Sequence, residues 1–100
     1  MALRNRRLSS QSVAVLTVLD RDRLAWRYGL EIAGLTGLAS GTLYPILARL
    51  QERGLVESCW LDPERPGRPP RHGYRITTAG RAAMIAAQPR PDHGLQETLA

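Results

Sequence analysis

Few residues in this 100-residue chain are equipped for bond-making chemistry. Cys59, His72 and His93 are the only thiol and imidazole groups, too few and too scattered for a metal site, and one cysteine permits no intramolecular disulfide. A nucleophile needs a base and an orienting carboxylate beside it. His72 borders a proline-rich loop and His93 lies near the end of the sequence, so the pattern is not that of an enzyme. No glycine-rich phosphate loop is present either, and neither a metal nor a cofactor is expected. Positive charge is the abundant resource. All 14 basic residues are arginine, against nine acidic ones, giving a formal charge of +5 and a pI of about 10.6. The guanidinium fork suits phosphate and guanine, although a genome's codon bias accounts equally well for an arginine-only composition. The balance favours an anionic partner.

The stretch that would present such charge is Ser40–Gly54. Leu43, Ile46, Leu47 and Leu50 recur at i, i+3, i+4 and i+7, which places them on one face of a helix. Gly41, Pro45, Ala48 and Glu52 fall opposite, with Thr42 and Arg49 on one flank and Tyr44 and Gln51 on the other. The front of this helix is small and bears hydroxyls where surface helices usually carry long charged side chains. Pro45 predicts either a start at Gly41 or Thr42 or an irregular first turn, and both leave backbone N–H groups free to meet phosphate. Gly54 is the natural end.

The remaining elements must hold that helix in place. Ser9–Ser12 offers N-caps for a helix in which Val13, Val15, Leu16, Val18 and Leu19 are apolar over more than half the circumference, ended by the polar run 20–23. A second helix is expected over 28–35, with Ile32, Ala33 and Leu35 inward, followed by a turn in which Gly37 supplies a left-handed residue. Two short helices joined in this way form a helix-turn-helix. Residues 55–61 alternate as a strand, residues 62–70 contain four prolines and a glycine, and residues 71–77 return as a second strand. Trp60 and Tyr74 read as core or as packing at the base of this hairpin. A last helix is expected from Thr77 or Thr78 to about Gln88. The fold class is therefore α+β and mainly helical: a winged helix-turn-helix of three helices, a two-stranded β-wing and a short C-terminal helix. Residues 1–8 read as a basic, flexible arm, 9–88 as the domain, and 89–100 as a short proline-containing tail.

Five blocks in order resemble the PadR-like winged-helix transcriptional regulators: Tyr28–Ile32, Ser40–Leu50, Gly54–Val56, Gly67–Pro70 and Tyr74–Gly80. The resemblance spans about residues 12–87. It implies a repressor that binds operator DNA as a homodimer, with the Ser40–Leu50 helix in the major groove and the wing on the adjacent minor groove or backbone. The DNA-facing residues it implies are Ser40, Thr42 and Tyr44 with the nearby backbone at Gly41, plus wing arginines Arg65, Arg68 and Arg71. The chain departs from the family pattern in stopping soon after its last helix, so a dimer would rely on helix 1 and residues 78–88.

Each candidate also has a reading confined to the protein itself. Ser40 and Thr42 can meet phosphate or simply cap the helix, and the two roles are compatible. Tyr44 either sets its hydroxyl on a phosphate or packs against helix 2. Arg49 either reaches DNA or pairs with Glu52 or Glu57. The wing arginines have no evident partner beyond Asp62 and Glu64. A protein-binding winged helix without sequence-specific DNA binding is the alternative function, and a small-molecule effector of unknown identity at a dimer interface is a third. No apolar run approaches a membrane span and the N-terminus lacks the pattern of a signal peptide, so the expected location is cytoplasmic.

Overall fold

The computed structural model describes residues 7–63 and 65–88; most of the basic arm and the whole of the tail lie outside them. The elements run α1 (Ser10–Asp20), β1 (Arg27–Tyr28), α2 (Gly29–Thr36), α3 (Ser40–Glu52), β2 (Val56–Leu61), β3 (Arg71–Ile76) and α4 (Thr78–Ala87). This is the expected winged helix with one addition. The wing hairpin gains a third, two-residue strand, so the sheet order is β1-β3-β2, all antiparallel, with Arg27 opposite Tyr74 and Tyr28 opposite Gly73. Two residues are too few to show an alternating pattern, and β1 reads in sequence only as the approach to α2.

The caps fall where small hydroxyl and glycine residues place them. Ser9 Oγ accepts the Ser12 N–H at 3.0 Å and starts α1. Gly37 ends α2 at φ 78°, its N–H on the Ala33 carbonyl at 2.8 Å. After α3, Gly54 stands at φ 75°; its N–H reaches the Gln51 carbonyl at 3.0 Å and the Leu55 N–H reaches the Leu50 carbonyl at 2.9 Å. That pair of bonds is a Schellman motif, with Leu55 and Leu50 both in the core below it.

α3 is buried along the predicted stripe: Leu43, Ile46, Leu47 and Leu50 are all at most 2 % exposed. They pack with Val15, Leu16 and Leu19 of α1, Ile32 of α2, Val56, Tyr74 and Ile76 of the sheet and Met84 of α4. Pro45 is the sixth residue of α3, deeper than a start at Gly41 or Thr42 would put it. The irregularity falls in the first turn, where the Ala39 carbonyl accepts both the Thr42 and the Leu43 N–H at 2.9 Å. A proline inside a helix costs about 3 kcal/mol. Each fully buried Leu or Ile returns about 2 kcal/mol, so the four apolar anchors hold the helix through its proline.

One side chain departs from its expected place. Leu35 is 47 % exposed rather than packed inward, because Ile32 and Ala33 alone face the core from α2. Of the two places expected for Trp60, core or wing packing, it takes the second: it is 69 % exposed and stacks on His72 across the hairpin, because β2 has by then run past the hydrophobic cluster, while Tyr74 is in the core. No helix among the described residues is long and apolar enough to cross a membrane.

Candidate nucleic-acid interface

The exposed first turn of α3 has no internal task. Its N-cap is Ala39, which contributes no side-chain bond, and neither the Ser40 nor the Thr42 hydroxyl has a hydrogen-bond partner among the described residues. The capping role for these two residues therefore fails. Gly41 is equally free: a β-carbon there would meet open space, and its backbone needs no left-handed conformation. Glycine in a helix costs about 1 kcal/mol relative to alanine, and nothing inside the fold requires it at this position.

Tyr44 does have an internal task. Its ring lies against Gly29, the first residue of α2, so closely that a β-carbon on Gly29 would stand 2.6 Å from Cζ. The phenol is still 41 % exposed. The contact joins the two helices of the helix-turn-helix. Glu31 secures the same corner: its carboxylate accepts the Tyr28 N–H at 3.1 Å and pairs with Arg27 at 3.2 Å.

The wing stands beside this corner. Arg65 and Arg68 flank a tight turn at the tip, with the Arg68 N–H on the Arg65 carbonyl at 3.2 Å and Gly67 at φ 87°. Both side chains are exposed. Arg71 is different, contrary to the expectation of no partner outside the acidic pair: its guanidinium lies over the Tyr28 ring, 3.5 Å from the centroid. Arg75 lies over Trp26 at 4.0 Å and pairs with Glu57 at 2.9 Å. Glu57 is thereby engaged by Arg75, and Arg49 takes neither Glu52 nor Glu57 as an ion-pair partner.

Two adjoining clefts connect these parts. One of about 450 Å³ is lined by Leu30, Arg65, Arg68, Pro69 and Arg71. The other, about 340 Å³, is lined by Tyr28, Gly29, Leu30, Tyr44, His72 and Tyr74 with Arg71 again. The structure thus brings Tyr44 together with the wing. Arg49 lies elsewhere, in a cleft of about 260 Å³ shared with Arg7, Ser9, Ser12 and Arg53 beside the start of α1. Leu30, 74 % exposed, lines both clefts without having been singled out in the sequence; His72 lines the second, and Trp60 stacks on it.

The family model of the PadR-like transcriptional regulators matches residues 15–86, well over half of the chain. The chain belongs to that family. Among solved structures, a PadR family transcription regulator from Clostridium difficile R20291 is 23% identical with a TM-score of 0.66, covering 78% of this chain and 82% of its own. A probable transcriptional regulator from Pseudomonas aeruginosa is 25% identical with a TM-score of 0.65, over 80% of this chain and 56% of its own. MepR of S. aureus, in complex with DNA, is 18% identical with a TM-score of 0.65, over 79% and 60%. The chain thus spans little more than half the length of some of the proteins it resembles in fold. A search of curated proteins finds no match.

The glycines of the PadR-like blocks now have physical reasons. Gly29 admits Tyr44, Gly54 turns the chain out of α3, and Gly80 lets α4 press on the Leu55 carbonyl, which a β-carbon would strike. Gly41 lacks one inside this PadR-like domain, as does Gly34 near the end of α2.

Proposed function

We propose that this PadR-like regulator binds double-stranded operator DNA and acts as a repressor in the cytoplasm. α3 enters the major groove through Ser40, Gly41 and Thr42, with Tyr44 at its flank, while Arg65, Arg68 and Arg71 of the wing lie on the adjacent backbone or minor groove. Arg49 would meet DNA only by way of the backbone on the α1 side of the helix. The observation that carries the reading is the first turn of α3: two unpartnered hydroxyls and a glycine with open space beside it, next to an arginine-tipped wing. Phosphate contacts position such a protein and groove contacts specify sequence.

A homodimer through α1 and α4 would place two α3 helices on half-sites about one helical turn apart. A small-molecule effector would seat at that dimer interface, and a thermal-shift screen with aromatic and cationic compounds tests for one. DNA binding itself is tested by fluorescence anisotropy with a labelled duplex from the region upstream of the protein's own gene, at two salt concentrations, with solution mass measured in parallel. Binding that weakens as salt rises supports the reading. No salt-sensitive binding at any concentration, or a DNA-independent protein partner that survives charge reversal of Arg65 and Arg68, would overturn it.

A further inference from the structure

Trp60 is one of the most exposed large apolar side chains of the domain, and it does not stand alone. It pairs across the hairpin with His72, and the two rings stack at 4.4 Å with an interplanar angle of 11°. His72 is in turn 4.8 Å from the Tyr74 ring, and the Tyr74 hydroxyl is hydrogen-bonded to His72 Nδ1 at 3.1 Å. Tyr74 and His72 line the same cleft as Tyr44. An aromatic stack therefore runs along one face of the wing from buried Tyr74 through His72 to exposed Trp60, its inner end beside the cleft that Tyr44 lines. One face of the indole is taken by His72.

We propose that Trp60 is a DNA-contact residue, its outer indole face packing on the sugars and base edges of the groove that the wing enters. This rests on the DNA-binding reading above. Three observations support duplex DNA as the occupant. The inner end of the stack lines the cleft that Tyr44 of α3 also lines, so Trp60 projects from the same wing that borders α3. Arg65 and Arg68, at the tip just beyond Trp60 in the chain, match the charge of a phosphate backbone on either side of a groove. An indole of this exposure is costly to leave in water, whereas apolar side chains inserted from the minor-groove side are a common means of gripping and bending DNA. The ladder behind it supplies the stiffness: the His72 stack and the Tyr74 bond hold the ring in place before DNA arrives.

The test uses the two tryptophans as reporters on the full chain. Free protein should show one readily quenched indole, Trp60, when titrated with acrylamide, since Trp26 lies half-buried under the Arg75 guanidinium. Adding the upstream duplex should protect that indole and change its emission, and Trp60→Phe should abolish the change. Trp60→Ala should weaken binding about tenfold, the scale of one lost stacking contact, while leaving the salt slope unchanged because no charge is removed. Trp60→Phe should retain most of the affinity. If the duplex binds the wild type but acrylamide access to Trp60 is unaltered, or Trp60→Ala binds as tightly as wild type, the proposal fails while the DNA reading stands. If the wild type binds no duplex, both fail. A role limited to stiffening the wing would lower the melting temperature of Trp60→Ala without moving acrylamide access in the wild-type complex, and that outcome also overturns the proposal.

Discussion

The Tyr44 ring rests on Gly29 with no room for a single added carbon: a β-carbon there would be 2.6 Å from Cζ and 2.7 Å from Cε1. Both residues belong to motifs that sequence reading treats separately, and the contact joins them. Gly29→Ala should displace the phenol from its seat, and because the obstructing atoms end a partly exposed side chain that can swing aside, the cost should stay at or below about 1 kcal/mol, the low end for overpacking. Urea denaturation measures it. In a Tyr44→Ala background the same substitution should be close to neutral, because the obstructing ring is gone.

Gly41 should behave in the opposite way. Gly41→Ala has space for its methyl group and gains helix propensity, so the domain should become more stable by up to about 1 kcal/mol. DNA affinity should fall, since the methyl would stand between the helix and the groove floor. A denaturation curve and an anisotropy titration on the same preparation check both signs. Tighter binding would contradict the placement of α3.

The wing arginines should appear in the salt dependence. If Arg65 and Arg68 each neutralise one phosphate, alanine at either should make the slope of log K against log salt shallower by about 0.9 per subunit. Arg71→Ala should also lower stability, because its guanidinium covers the Tyr28 ring.

Thr77 joins the turn after α3 to the start of α4. Its hydroxyl accepts the Gly80 N–H at 2.9 Å and donates to the Gly54 carbonyl at 2.7 Å, and its N–H reaches the Leu55 carbonyl at 3.1 Å. Thr77→Ala removes the cap and one further bond, an expected loss of about 1–2 kcal/mol in thermal or chemical denaturation. Thr77→Ser should recover most of it.

Burial, and then the neighbouring Tyr44, hold the Tyr74 phenol above its ordinary value of 10.0. The folded state therefore keeps the Tyr74 proton when the unfolded chain has begun to lose it. That contribution is intact below pH 10 and is lost as pH rises through the folded value. Stability should decline above pH 10, and Tyr74→Phe should make the decline shallower. Denaturation midpoints at several alkaline pH values measure the difference.

The apolar stripe of α3, the caps at Ser9, Gly54 and Thr77, and the hairpin were all legible, because each depends on spacing or on a local backbone need. What escaped depends on the third dimension. The strand β1 has only two residues and exists because β3 offers it an edge. Alternation put Trp60 on the same face as Val56, but not how far β2 runs beyond the core. Arg71 found its partner in an aromatic ring from a strand more than forty positions away in sequence, and no charge pattern signals that. Tyr44 was open between DNA and helix 2; the ring takes the second role and its exposed edge leaves the first available.

Two hydrogen bonds through Thr77 tie the turn that leaves α3 to the start of α4, a third caps α4 itself, and Gly80 is seated flush on the Leu55 carbonyl. The start of α4 is therefore set by the same two residues that lead the chain out of the helix carrying Ser40 and Thr42, and a change at Thr77 or Gly80 reaches the exit of α3 without touching its exposed face.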